Sequence, residues 1–237
     1  MNHDESQAEA EQPRPLMALP GRTTDEGPLF HRYLAEVLDL IGGHLPAMLG
    51  PTDRDIYEWE HSARAAVVSA VSELTCWPED LFDAMMRAIA HDPDPSFNCQ
   101  LINPALTLAG HRRVQLALLD LLSSGTNAEK AGAARAWYWA RILRRGESAE
   151  SVNARVCTEE SEWEQGIVKD LRIRWRQTAL RTFISHEDLD VRRCILPGLS
   201  LNPAHYSEDL SDLVAQAVHI ARNHPDEYIR HRVEHQV

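Results

Sequence analysis

The strongest constraint on the fold is a block of sequence that occurs twice in the last quarter of the chain. Each copy reads Asp-x-x-(Val/Ile)-Arg, and a histidine stands two residues before its first aspartate. The copies are 38 residues apart and are made by Asp188, Val191, Arg192 and by Asp226, Ile229, Arg230. A helix-like apolar pattern precedes each copy, and another follows it. Repeats of this length predict helical hairpins that stack side by side.

The residues around each copy indicate where one helix ends and the next begins. The histidines, His186 and His224, would face the negative end of one helix macrodipole, and the aspartates would face the positive end of the next. A looser copy lies upstream, where His91 is followed by Asp94-Pro-Ser-Phe97-Asn98. Because the histidines recur in phase with the aspartates, we interpret them as helix-end and turn residues rather than as catalytic groups or metal ligands.

The rest of the chain also has helical patterns. A helix is predicted over 28–41, where Gly42-Gly43 would end it, and over 52–74, where Thr52 and Asp55 would form a capping box. Alternating strand patterns are weak and hairpin turns of the Asn-Gly type are lacking, so the predicted class is all-α. The second helix of each hairpin is predicted to start near residues 95, 128, 188 and 226. The uneven gaps fit repeats that an insertion interrupts.

The chain resembles the HEAT and armadillo-like α-solenoid proteins at the repeated block, which comprises Asp188, Val191, Arg192, Asp226, Ile229 and Arg230. The resemblance covers roughly residues 79–237 and implies HEAT-like hairpins in a right-handed superhelix. In that family the aspartate and arginine commonly form a ladder between neighbouring repeats, so a structural role is implied for them. The chain departs from the pattern at Asn98, Thr126 and Glu129, and Lys130 stands in the place of an arginine. The fold implied does not define an activity.

Composition divides the chain into a tail and one domain. Residues 1–27 carry six acids against two arginines and predict a flexible acidic tail. Residues 28–237 predict a single helical repeat domain, which an acidic insertion with six glutamates and one arginine interrupts at about 146–164. The four widely spaced cysteines favour a reduced, cytoplasmic protein. No apolar run approaches the ~20 residues that span a membrane, so no membrane partner is expected.

Two basic stretches stand out in a chain whose net charge is −12. Residues 135–145 hold four arginines and no acid, and residues 169–181 hold five basic residues and one acid. With Trp175 nearby, these stretches predict an aromatic and basic groove. Its candidate partner-binding residues are Trp137, Trp139, Arg141, Arg144, Arg145, Arg172, Arg174 and Arg176.

Three uses of these basic stretches stay open. The arginines can pair with the glutamates of 146–164 in an intramolecular latch, bind an acidic protein partner, or grip nucleic acid. The HEAT-like alkylpurine DNA glycosylases use an α-solenoid on DNA, and a groove that stacks bases and contacts phosphates is what that resemblance implies. The net charge argues against nucleic acid, since such binding depends on neutralising phosphates. No residue-level motif of those enzymes is present.

Motifs for catalysis and metal binding are weak. His231-Arg-Val-Glu234-His235 matches the inverted zinc-protease motif, but it lies at the end of the chain, where a solvated helix face is the simpler interpretation. Cys194 follows two arginines that can lower a thiol pKa, although a small buried residue is the simpler interpretation. No metal or cofactor is therefore expected. The sequence predicts a non-enzymatic protein-interaction module, such as a scaffold, adaptor or inhibitor, with a nucleic-acid-acting protein as the alternative.

Overall fold

The computed structural model describes residues 15–44, 47, 50, 52–74, 79–141 and 157–237, apart from the side chains of residue 79 and of 157–168. Over these residues the chain is all-α, as predicted, and contains no strand. Its helices are α1 (Gly27–Leu40), α2 (Asp53–Ser72), α3 (Glu79–His91), α4 (Cys99–Ser124), α5 (Asn127–Ala140), α6 (Cys157–Ser185), α7 (Leu189–Ile195), α8 (Ser211–Arg222) and α9 (Glu227–Glu234). Short 3-10 turns at Leu196–Gly198, Pro203–His205 and Glu208–Leu210 complete the described structure.

The helix ends follow local signals in the sequence. The hydroxyl of Thr52 accepts a hydrogen bond from the backbone of Asp55, whose carboxylate bonds back to Thr52, so the predicted capping box opens α2. Gly42 has φ +66°, the left-handed conformation that ends a helix at little cost to glycine, just after α1. Within α4, Gly110 has φ 77° and ψ 155° and breaks the helix into two segments. Helix α6 begins at Cys157, inside the predicted acidic insertion, and residues 146–156 lie outside the described part of the chain.

The helices pack in two rows. Helices α1, α3, α5, α7 and α9 contact one another in that order and form the first row. Helices α2, α4, α6 and α8 form the second row, and the rows pack together at pairs such as α4 with α5 and α8 with α9. One hydrophobic cluster extends from Phe30 in α1 to Val233 in α9. The buried face of α2, with Trp59, Ala63 and Val67, contributes to this cluster as its 3.6-residue pattern predicts.

Small residues bring α3 and α5 close together. A Cβ atom at Gly132 would lie 1.7 Å from the carbonyl oxygen of Ala90, so only glycine fits at this position. The flanking Ala131 and Ala133 are fully buried. The small residues of α5 therefore permit the close approach of the two helices.

The short segments that connect α6 to α7 and α8 to α9, which we call joints, have the same pattern of hydrogen bonds. In each joint a carboxylate oxygen of Asp188 or Asp226 accepts a hydrogen bond from the backbone N–H three residues later, at 3.0 and 3.1 Å. The backbone N–H of the same aspartate donates to Nδ1 of His186 or His224, at 3.1 Å in both cases. These contacts confirm the histidines as turn residues. In the looser copy a carboxylate oxygen of Asp92, not His91, accepts the corresponding hydrogen bond, from the backbone N–H of Asp94.

The residue four positions after each cap donates a hydrogen bond to a backbone carbonyl that precedes the cap. Arg192 donates to the carbonyl oxygen of Phe183, and Arg230 donates to that of His224. Lys130 and Asn98 make the corresponding hydrogen bonds, to the carbonyl oxygens of Leu122 and Ile89 respectively. Lys130 and Asn98 are not arginines, yet they make the corresponding hydrogen bond, because any side-chain N–H donor can bond a free backbone carbonyl at the end of a helix.

Two predictions about the repeat need correction. The joint at Asp94 leads from the first row into α4 of the second row, whereas the joints before α5, α7 and α9 lead into the first row. The helix predicted to start near residue 95 is therefore not equivalent to the other three. The predicted ladder of contacts between neighbouring repeats is also made by residues other than Arg192 and Arg230. Arg193 pairs with Asp226 at 2.5 Å, and Asn127 bonds Asp188 at 2.9 Å. Arg192 instead donates to the carbonyl oxygen of Ile184 at the end of α6, and Arg230 donates to that of Pro225 in the turn before α9.

Residues 15–26, which we call the N-terminal strap, cross the first row without forming a helix. The N–H of Met17 donates to His231 in α9, Thr23 bonds Asp190 in α7, and Glu26 pairs with His91 in α3 at 2.7 Å. A flexible tail over 1–27 does not account for these fixed contacts of 15–26. Residues 1–14 lie outside the described residues.

Candidate interaction surface

A groove lies between α6 and the loop that follows the short turn at Pro203–His205. Lys169, Arg172 and Arg176 line one side, since spacings of three and four residues place side chains on one helix face. The groove has a volume of about 580 Å³. Its other wall is formed by Ala204, His205, Tyr206 and Ser207. We call this feature the basic groove.

The guanidinium groups of the basic groove contact carbonyl oxygens rather than carboxylates. Arg172 donates to the carbonyl oxygen of Arg141 at 2.7 Å, and Arg176 donates to that of His205 at 2.7 Å. The Nε of Arg172 has no hydrogen-bond partner. Among the side chains that the structure describes, no carboxylate forms an ion pair with Lys169, Arg172 or Arg176. The positive charge is therefore oriented but not neutralised by these neighbours.

The loop wall of the groove is held by its own hydrogen bonds. The hydroxyl of Tyr206 donates to the carbonyl oxygen of Ser200 at 2.7 Å, and the Ser200 hydroxyl bonds Nδ1 of His205 at 2.7 Å. Burial raises the pKa of Tyr206 to about 12, so this hydroxyl remains a donor throughout the physiological pH range. Arg176 lies over the Tyr206 ring, with 5.9 Å between the guanidinium carbon and the ring centroid. These contacts hold Tyr206 and His205 in place along the loop wall of the groove.

The tryptophans predicted to line the groove pack inside the domain. The rings of Trp137 and Trp175 stack on each other at a centroid distance of 4.0 Å, and only 4% and 5% of these residues is exposed. Trp139 is half-buried and donates to the carbonyl oxygen of Pro95 at 3.0 Å. Within the cluster Trp137-Tyr138-Trp139 the exposed ring is that of Tyr138, which lies beside the guanidinium of Arg141. Sequence reasoning missed Tyr138, since the cluster of three aromatic residues does not show which ring faces outward.

The remaining predicted binding residues are scattered. Arg141 is exposed at the end of α5, and Arg174 is exposed on α6 but does not line the basic groove. Arg144 and Arg145 lie outside the described residues, as does most of the acidic insertion. Pairing between these arginines and the insertion therefore stays a prediction.

The histidines and the cysteine that were weighed as metal ligands or reactive groups, His231, His235 and Cys194, make contacts that stabilise the fold. His231 accepts the Met17 N–H at 3.1 Å, and its ring lies edge-on to that of His235. Within the described part of the chain no group of three or more His, Cys, Asp or Glu side chains has the arrangement of a metal site. Burial raises the pKa of the Cys194 thiol, although Arg135 and Arg22 nearby oppose the shift. The interpretation of Cys194 as a buried residue is confirmed.

A second group of charges lies where α1, α2 and α3 meet, and we call it the buried charge cluster. Arg64 is 1% exposed and donates to both carboxylate oxygens of Asp92, at 2.5 and 3.1 Å. Glu60 lies 3.5 Å from Arg64 and bonds His31 at 2.9 Å. The guanidinium of Arg64 also covers the ring of Phe30. The members satisfy one another, so the cluster has the character of a structural core.

Comparison with protein-family models, with curated proteins and with solved structures gives no match to this chain. No helix in the described ranges is long and apolar enough to cross a membrane. The functional conclusion therefore depends on the geometry of the surface.

Proposed function

We propose that the protein is a non-enzymatic interaction module that binds an acidic segment of another protein in the basic groove. The observation that carries this proposal is the set of basic side chains Lys169, Arg172 and Arg176, with which no carboxylate among the described side chains forms an ion pair, on a chain whose net charge is −12. Arginine forms bidentate hydrogen bonds with carboxylates, and Arg172 and Arg176 both line the groove. Scaffold, adaptor and inhibitor roles share this requirement.

We further propose that the two rows of helices form an α-solenoid of HEAT-like hairpins in a right-handed superhelix. The alternation of helices between the rows supports this proposal, as do the matching joints at Asp188 and Asp226. Solenoids present extended surfaces that bind partners along several repeats. The basic groove lies on such a surface, between α6 and the loop before α8.

An acidic protein fits the basic groove better than a nucleic acid does. Base recognition without sequence preference needs aromatic rings on which bases stack. Trp137 and Trp175 stack on each other and are buried. These observations favour protein over DNA or RNA as the partner.

The proposal is tested by affinity capture from the native host with the full-length protein, followed by mass spectrometry. The groove variant Arg172→Glu/Arg176→Glu is compared with Arg112→Glu/Arg181→Glu, which makes the same change of charge at exposed positions outside the groove. We expect the wild type and the control variant to capture the same acidic partner and the groove variant to lose it. Equal capture by both variants would contradict the proposal, and salt-sensitive retention on DNA or RNA would favour the alternative.

A further inference from the structure

The N-terminal strap occupies the first row as an extended peptide would occupy a binding surface. Along the strap, Met17 contacts α9, Arg22 contacts α5 and α3, Thr23 contacts α7, and Glu26 contacts α3. The strap thus contacts four helices of the first row within ten residues. Helical-repeat surfaces bind extended chains in this manner, by contacts to successive repeats.

The centre of the strap is recognised by a basic residue followed by a hydroxyl residue. Arg22 donates to the carbonyl oxygens of Ala90 and Ala128, at 2.9 and 3.4 Å. The backbone N–H and the hydroxyl of Thr23 both donate to one carboxylate oxygen of Asp190, at 2.7 and 2.8 Å. The carbonyl of Ala90 belongs to the last turn of α3, the negative end of a helix dipole, which favours a cation.

The surface beneath the strap has hydrogen-bonding groups that the strap does not use. Arg135 is 7% exposed and donates to the carbonyl oxygen of Pro93, but its Nε and Nη1 have no hydrogen-bond partner. The second carboxylate oxygen of Asp190 also lacks a hydrogen bond. Buried polar groups without partners are costly, so a ligand that satisfies them binds more favourably than one that does not. The fit between the strap and the surface is therefore incomplete.

Leu19 is the apolar side chain of the strap that packs, partly buried, against the hydrophobic core. Leu16 and Met17 are exposed, and so are Thr24 and Asp25. The attachment of the strap otherwise depends on a small number of hydrogen bonds, including the one between Glu26 and His91. A few hydrogen bonds, each of modest net strength, hold a segment that a competing peptide can displace.

We propose that the first-row surface under the strap is a binding site for an extended segment of a partner protein that carries an arginine followed by threonine or serine. The strap occupies this site as an intramolecular competitor, and the partner segment displaces it. Asp190 and the carbonyl oxygens of Ala90 and Ala128 supply the recognition. This site is separate from the basic groove and does not depend on the proposed function.

The test uses the full-length chain and a labelled synthetic peptide with the sequence of residues 15–26, and binding is followed by fluorescence anisotropy. The variant Arg22→Ala/Thr23→Ala loses the central strap contacts, and Thr24→Ala is the matched control at an exposed neighbour. Because an internal competitor reduces apparent affinity by the fraction of sites that it occupies, we expect the variant to bind the peptide about tenfold more tightly than the wild type or the control. Adding Asp190→Ala to the variant, or alanine at both central positions of the peptide, should abolish binding.

Hydrogen exchange supplies the second measurement. The amides of Met17 and Thr23, which donate to His231 and Asp190, should exchange slowly in the wild type and rapidly in the variant. Exchange at the intrinsic rate in the wild type would show that the strap does not occupy the surface, and would overturn the proposal. The proposal is likewise overturned if a folded variant, verified by circular dichroism, does not bind the peptide, or binds it no better than the wild type.

Discussion

Two regions of this molecule concentrate arginine and histidine, and they use them in opposite ways. In the buried charge cluster, Arg64 is enclosed between the carboxylates of Asp92 and Glu60. In the basic groove, Arg172 and Arg176 are positioned by carbonyl oxygens that do not neutralise them. A charge that is balanced inside the fold stabilises one arrangement of helices. A charge that is oriented but unbalanced at the surface is available to a partner.

The difference between the two regions predicts a large loss of stability when the buried cluster is broken. In Arg64→Ala the carboxylates of Asp92 and Glu60 remain buried without their cation, and we expect the free energy of unfolding to fall by about 3–5 kcal/mol. Urea denaturation measures the change. Arg54→Ala is the control on the same helix, because Arg54 forms an exposed pair with Glu58 and its loss should change stability little. Equal effects of the two substitutions would contradict the structural role of the cluster.

A smaller loss is expected where α3 and α5 approach most closely. In Gly132→Ala the new Cβ would meet the carbonyl oxygen of Ala90, so the helices must separate. We expect a decrease of about 1–3 kcal/mol in the free energy of unfolding, again from urea denaturation. Gly198→Ala is the comparison, because a Cβ there meets no atom within 4 Å. A neutral Gly132→Ala would mean that the close approach of α3 and α5 does not exist in solution.

A smaller loss of stability is expected when the caps of the repeated joints are removed. Asp188→Ala removes a helix cap and should lower the free energy of unfolding by about 1 kcal/mol. Asp226→Ala should cost more, because Asp226 also forms a charged pair with Arg193, whereas the second partner of Asp188 is the neutral amide of Asn127 in an exposed hydrogen bond. Thermal or urea unfolding of both variants checks the order, and Asp226→Asn, which can retain the cap, should lie between the wild type and Asp226→Ala. The reverse order would show that the link between Arg193 and Asp226 contributes nothing.

The joints were largely predictable from the sequence, whereas the strap was not. Caps depend on residues within four positions of one another, so Asp188, Asp226 and Thr52 could be located by pattern. The strap depends on contacts as distant as Met17 with His231, which leave no local periodicity. Residue type was also an imperfect guide, since Asn98 replaces the arginine of the repeat and yet makes the corresponding hydrogen bond.

The basic groove was predictable only in part. The basic stretch 169–181 was found from the sequence, but the predicted Arg174 does not line the groove, and Lys169, which does, was not among the predicted residues. The helical spacing of Lys169, Arg172 and Arg176 is what places them on one face. The inward stacking of Trp137 on Trp175 did not, because it depends on how α5 packs against α6. An aromatic residue beside arginines is compatible with a binding surface and with a core, and only packing decides between them.

A pH effect of modest size is expected at the last joint. Burial lowers the pKa of His224 from its ordinary value of 6.5, and the nearby Arg192 acts in the same direction. The unfolded chain therefore takes up a proton at a pH where the folded chain does not, so stability is lost as pH falls below about 6.5 and is unaffected by this group well above that value. His224→Asn retains a hydrogen-bond acceptor for the backbone N–H of Asp226. The variant should lose less stability than the wild type between about pH 7.5 and about pH 5.5 in urea denaturation, and an equal loss would exclude His224 as a source of the effect.

The smallest change in stability and the largest change in binding are expected at the basic groove. The most direct test is an equilibrium titration of the captured acidic partner against the wild type and Arg172→Glu/Arg176→Glu, with the unfolding free energy measured in parallel. We expect the affinity to fall by about tenfold or more and to weaken with added salt, while stability stays within about 0.5 kcal/mol of the wild type. A folded variant that binds the partner with unchanged affinity would contradict the assignment of the basic groove as the interaction surface.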